Sequence, residues 1–132
     1  MRQFILILAF TFFIIPFTQS QEKKGDGFTE FWDSFKKGVL NNDKQTVLKM
    51  TNLSTVSDFT PLTEKSFYED YDNIFSDVIK TFQRANPKKI NANTPGFDKI
   101  LIGGYFIKAN SCFYTFKKIN GRWLLYNKGC PG

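Results

Sequence analysis

From Phe28 the apolar positions fall into a helical rhythm. Phe28, Phe31, Trp32, Phe35 and Val39 stand at i, i+3, i+4, i+7 and i+11. That spacing lays one apolar stripe along a helix over residues 28–41. Asn41-Asn42-Asp43 stops it, and Asp43 is placed to cap a short second helix over 44–50, with Val47 and Leu48 inward. Thr51 to Thr60 is rich in Ser and Thr and reads as a loop, or as a short strand through Leu53 and Val56. A third helix is predicted after Pro61, capped by Thr63 or Ser66, where Ser66-Phe67-Tyr68-Glu69 has the capping-box form. Its stripe is Phe67, Tyr71, Ile74, Phe75, Val78 and Phe82, running to Gln83. Residues 85–96 hold two Pro, three Asn and one Gly, and form a connection.

The remainder reads as a β-meander, with strands Lys99 to Lys108, Ser111 to Lys118 and Arg122 to Lys128. Gly103-Gly104 marks a bulge or a close approach of backbones. Asn120-Gly121 is a two-residue hairpin signal. With that pair as the turn, Phe116 faces Leu125, Tyr114 faces Asn127 and Cys112 faces Gly129. Cys130 lies one residue beyond, so a slip or bulge is needed to join the thiols. Helices followed by an antiparallel sheet make an α+β fold, with one sheet face buried on the helical stripes.

Ahead of the first helix the pattern differs. Arg2 precedes an apolar run from Phe4 to Phe17, broken only by Thr11 and Pro16 and followed by Thr18-Gln19-Ser20. This is the form of a secretory signal peptide over residues 1–20, cleaved after Ser20. The run is shorter than the roughly 20 residues a spanning helix needs. No Cys follows it to carry a lipid, so no membrane anchor is expected after cleavage. Residues 21–27 form a polar leader, and residues 28–132 a single domain that is periplasmic or secreted. In an oxidising compartment Cys112 and Cys130, with 17 residues between them, are expected to pair as a structural disulfide.

Composition narrows the chemistry. The 132 residues include no His, which excludes a Ser-His-Asp triad, a Cys-His dyad and any His-ligated metal site within the chain. Two Cys exclude a four-thiolate zinc site. Asp70, Tyr71, Asp72 and Asp77 suggest a calcium loop, but Phe75 and Thr81 stand where Gly and Glu are required. Neither a metal nor a cofactor is expected. Glu30 with Asp33, and Glu69 with Asp70 and Asp72, are carboxylate groups that could do acid–base work only if partly buried. The net charge is +6 and it is lopsided: residues 84–132 carry seven Lys and two Arg against Asp98 alone. Such a half either binds an anionic partner or solvates one face of a sheet.

The aromatic set is the main lead. Trp32, Phe35, Tyr71, Phe75, Tyr105, Tyr114, Phe116 and Trp123 either line a pocket for an apolar or ring-bearing ligand or fill the core.

The order of these elements resembles a known superfamily. Phe31-Trp32-Asp33-Ser34-Phe35, the helix from Asp43, Pro61-Leu62-Thr63 and the closing Lys118-Ile119-Asn120-Gly121-Arg122-Trp123-Leu124-Leu125 carry the likeness over residues 27–129. They look like the small exported bacterial proteins of the nuclear transport factor 2-like (cystatin-like, SnoaL-like) superfamily. The resemblance implies a curved, cone-shaped antiparallel sheet wrapped around helices, often enclosing a cavity. The superfamily hosts enzymes, binding modules and uncharacterised domains, and its enzymes commonly place Asp, His or Tyr in the cavity. No catalytic residue is carried over to this His-free chain.

The resulting expectation is an exported noncatalytic domain that binds a small apolar or aromatic ligand or a protein partner, without nucleic acid. The oligomeric state stays open, a homodimer included. The alternative is a small His-free hydrolase, isomerase or lyase using Asp or Glu with Tyr in a conical cavity. A third role is recognition of an acidic partner by the basic sheet.

Overall fold

The computed structural model describes residues 25–131. The predicted signal peptide lies outside them, as does the leader before Gly25. Four helices precede a four-stranded antiparallel sheet. They are α1 (Phe28–Leu40), α2 (Lys44–Lys49), α3 (Glu64–Ile74) and α4 (Ile79–Arg84). The strands are β1 (Lys88–Lys89), β2 (Tyr105–Ala109), β3 (Cys112–Ile119) and β4 (Arg122–Gly129), ordered β1-β2-β3-β4.

The α1 stripe is as the spacing requires. Phe28, Trp32, Phe35 and Val39 are buried, and Phe31 is half-buried against them. Asp43 caps α2 by accepting from the Thr46 N–H at 3.2 Å and the Thr46 hydroxyl at 2.7 Å. The cap of α3 is Thr63, with Ser66 completing a reciprocal box three residues on; the Ser66 start is displaced by one turn. The single third helix is in fact two. Asp77 takes a left-handed φ of 56°, which Asp tolerates, and this ends α3 before α4 begins. The apolar period runs through the break undisturbed, so Phe75, Val78 and Phe82 are all buried.

The sheet also departs from the expected strands. Lys99–Leu101 is a 3-10 turn, and only Tyr105–Ala109 of that stretch is strand. The intervening Gly104 is the close approach: a Cβ there would collide with the Phe116 carbonyl oxygen. Lys88–Lys89, within the expected connection, pairs with Phe106 and Tyr105 as an edge strand. Asn120 and Gly121 both have positive φ, as their tight turn demands.

The β3–β4 register follows the turn as far as Phe116 opposite Leu125. Then β4 carries one extra residue. Asn127 lies opposite Thr115, so Tyr126 has no partner on β3. Tyr114 therefore faces Lys128 instead of Asn127, and Phe113 instead of Cys112 faces Gly129. The bulge supplies the one-residue step that brings Cys112 and Cys130 together, and their Cα atoms lie 4.2 Å apart in the disulfide.

One sheet face carries Ile107, Tyr114, Phe116, Trp123 and Leu125, all buried on the helices. Phe116 is wholly enclosed, with ring contacts to Phe28, Phe31, Trp32 and Phe35 at 5.3–5.7 Å. Each such pair adds about 0.5–1.5 kcal/mol beyond its area burial. The Tyr114 hydroxyl donates to the Ile74 carbonyl, joining the sheet to α3. The chain after α2 runs beside β4, bridging Thr51 to Leu125 and Ser57 to Lys128, so β4 is covered along that edge.

Candidate functional site: two clefts around Asp58 and Cys130

The eight aromatic candidates come together as interior. Seven are buried, from Phe35 and Phe116 at 0% exposure to Trp123 at 9%, and Tyr105 is half-buried, stacked on Phe28 at 3.7 Å. None of them lines either of the two clefts described below. Two keep a buried polar atom without a hydrogen-bond partner: Trp32 Nε1 and the Tyr71 hydroxyl. Burial, then the charges of Asp43 and Asp72, push the Tyr71 phenol up to about 12. Burial alone holds the Tyr114 phenol far above its ordinary value.

Among the described residues the one carboxylate hydrogen-bonded to a tyrosine is Asp26, near the end of the expected leader. Its Oδ2 accepts from the Tyr105 hydroxyl at 2.7 Å, its Oδ1 from the Phe28 N–H at 3.1 Å, and its carbonyl from Trp123 Nε1 at 2.8 Å. Burial raises its carboxyl, but the Tyr105 and Phe28 bonds, with Lys89 and Lys118, outweigh that and leave it below the usual range. Burial and the Asp26 contact push Tyr105 up to about 12. The two groups are thus driven apart, one to hold its charge and the other its proton. A proton-transfer pair working near neutrality needs the opposite. Every Asp and Glu among the described residues is solvent-exposed, so none sits deep in a pocket. Glu30 and Asp33 lie on the outer surface of α1, and Glu69, Asp70 and Asp72 on that of α3. Among the described residues no three His, Cys, Asp or Glu side chains converge to hold a metal ion.

The concave surface lies elsewhere, at the end of the sheet closed by the disulfide. One cleft, of about 350 Å³, lies between α3 and the loop after α2. Val56, Leu62 and Ile74 give it apolar walls, Asp58, Asp70 and Asn73 its polar edges, and Lys128 its cation. Phe59, 95% exposed, stands at its rim. A second cleft, of about 450 Å³, opens between residues 95–101 and the ends of β3 and β4. Asp58 and Cys130 line both.

Lys128 is set by the bulge, which turns it to the helical side of the sheet. Its Nζ donates to the Asn73 carbonyl at 2.6 Å and lies 5.7 Å from the Tyr114 ring centre. Burial pushes its amine below the ordinary value. No carboxylate among the described residues lies within ion-pair distance of it. Asp58 Oδ1 accepts from Asn127 Nδ2 at 2.8 Å, which fixes the ridge between the clefts.

Sequence reasoning missed Asp58, Phe59, Asn73 and Lys128 as a group. The available signal was Phe59, a large aromatic in a Ser- and Thr-rich loop outside every apolar stripe.

Among the described residues no helix is long and apolar enough to cross a membrane. Comparison with protein-family models, with curated proteins and with solved structures finds no match to this chain.

Proposed function

We propose that the chain is an exported, noncatalytic binding domain of the nuclear transport factor 2-like type. It takes a small apolar or ring-bearing ligand in the cleft between α3 and the loop after α2. The observation that carries this reading is the pairing of exposed Phe59 with half-buried, ion-unpaired Lys128 across apolar walls. A concave apolar site with a few convergent polar groups is the usual form of a small-molecule site, and its volume falls in the usual range. The Cys112–Cys130 disulfide suits an oxidising compartment, consistent with removal of residues 1–20 and a periplasmic or secreted location.

The experiment is a titration of the native protein with anilinonaphthalene sulfonate, a ring-bearing anion, followed by fluorescence. Binding is expected, weakened about tenfold in Phe59→Ala and in Lys128→Met while each variant still melts cooperatively. Equal binding by the wild type and both variants, or no binding by folded wild type, overturns the reading.

A further inference from the structure

The second cleft, between residues 95–101 and the ends of β3 and β4, differs from the first in its free polar atoms. No Lys or Arg lines it, and two carboxylates do, Asp58 and Asp98. Asp98 is the single acid of residues 84–132, against seven Lys and two Arg. The side-chain donors of the lining are already engaged. Thr115 Oγ1 donates to the Asn127 carbonyl at 3.3 Å. Asn127 Nδ2 gives one proton to the Thr55 carbonyl at 2.9 Å and the other to Asp58 Oδ1 at 2.8 Å. Both partners can only accept, which fixes the orientation of the amide. What remains accepts. Among the described residues no side-chain donor reaches Asn127 Oδ1, Asp58 Oδ2 or the Asp98 carboxylate. Gly129 leaves space beside two of these oxygens. A Cβ there would stand 3.2 Å from Asn127 Oδ1 and 3.5 Å from Asp58 Oδ2, so both face the room that a side chain would fill.

The cation nearest the walls is Lys108, whose Nζ lies 5.6 Å from the centre of the Phe113 ring. It pairs with neither carboxylate; among the described residues the only ion pair is Lys65–Glu69. A bare metal ion suits the cleft poorly. Among the described residues no three ligating side chains converge, and Phe97, Leu101, Phe113 and Pro131 make much of the wall apolar. The volume, about 450 Å³, is that of a small-molecule site. An ammonium group has donors and no acceptor. Its bonds to a carboxylate are roughly twice as strong as neutral ones. We infer that the second cleft binds a small organic amine in its protonated form. The ammonium donates to Asp58 Oδ2 and Asn127 Oδ1 beside Gly129, and the apolar body lies against Phe97, Leu101 and Phe113. An anion would meet only accepting side chains here, whereas the first cleft offers it Lys128.

The test is an amide-resolved NMR titration of the native, disulfide-bonded protein with three probes that share an indole ring. Tryptamine carries an ammonium group, tryptophol a hydroxyl and indole-3-propionate a carboxylate. Tryptamine is expected to bind more than about tenfold tighter than tryptophol, with indole-3-propionate the weakest. Its shifts are expected at Gly96, Leu101 and Gly129 and not at Val56 and Leu62. Asp58→Asn with Asp98→Asn brings tryptamine to within about twofold of tryptophol. Gly129→Ala, which leaves the charge alone, weakens tryptamine more than about fivefold. The charge-matched pair Glu30→Gln with Asp33→Asn, on the outer surface of α1, changes it less than about twofold. Should the Asp58 and Asp98 pair fail to fold, Asp98→Asn alone, in its exposed segment, narrows the same preference. Equal binding of the three probes overturns the inference. So does a preference that survives the paired change, an unchanged affinity in Gly129→Ala, shifts confined to the Phe59 cleft, or no tryptamine binding by the folded wild type. Tighter binding of a blocked Gly-Lys-Gly tripeptide than of tryptamine overturns it in favour of a polypeptide partner. Asp98→Asn leaves anilinonaphthalene sulfonate binding at the Phe59 cleft unaffected, so the two sites fail or stand separately.

Discussion

Lys128 Nζ sits 2.6 Å from the Asn73 carbonyl oxygen and so ties the end of β4 to the last turn of α3. Burial pushes its amine down, so the fold disfavours the charged form in spite of that bond. The unfolded chain binds the proton more tightly, and stability gains from this group as pH rises toward the unfolded value of 10.5. Lys128→Met keeps the stem and drops the charge. Its stability relative to wild type is expected to be most favourable near neutral pH and to fall toward pH 10. Urea unfolding across that window checks it; a difference independent of pH would remove burial as the cause.

Tyr71 gives the opposite slope. Its phenol is raised to about 12, so it contributes stability that is whole below the unfolded value of 10.0 and is lost as pH climbs toward 12. Its hydroxyl is buried without a partner, and an unsatisfied group of that kind costs about 1–3 kcal/mol. Tyr71→Phe is expected to match or exceed wild type at neutral pH and to resist alkaline unfolding longer. A loss above about 1 kcal/mol at neutral pH would mean that the hydroxyl is satisfied in solution.

Phe116 and Phe59 are the same residue type in opposite settings, 0% and 95% exposed. Phe116→Ala opens a hole among four aromatic rings and is expected to cost about 3–5 kcal/mol. Phe59→Ala is expected to stay within about 0.5 kcal/mol. Denaturant midpoints separate the two, and a costly Phe59→Ala would show that its ring is packed.

The disulfide closes a loop of 17 intervening residues. On the chain-entropy account it adds about 3 kcal/mol. Cys112→Ser with Cys130→Ser should lose stability of that order, and reducing the wild type should reproduce the loss. Urea curves with and without reductant decide it; coincident curves would place the stability of this hairpin in its packing alone.

Much of the frame is written in residue spacing. The stripe from Phe28 to Val39, the Asp43 cap and the Asn120-Gly121 turn all rest on chemistry within a few residues of each other, and so they are visible locally. The break at Asp77 is not, because Phe75, Val78 and Phe82 keep the helical period straight across it. β1 is hidden for a related reason: Lys88 and Lys89 have no strand character of their own, and Phe106 and Tyr105 make them one. The bulge was required by the positions of Cys112 and Cys130, yet nothing near Tyr126 marks it as the extra residue. The aromatic candidates were legible as apolar but not as core, since period alone cannot tell a packed ring from a pocket wall. The clefts come from loops without any period, and from a Lys128 whose direction depends on that bulge.

The bond between Cys112 and Cys130 also alters how the domain would bear a load. A pull applied beyond Cys130 crosses the sulfur bridge to Cys112 without passing along β4, and the tight turn at Asn120-Gly121 never comes under tension. The force enters the sheet where Ala109 pairs with Cys112, at the first pair of β2 and β3. The load therefore passes from Cys112 into Ala109 and along β2, while the stretch from Cys112 to Cys130 stays outside its path as an unbroken covalent ring.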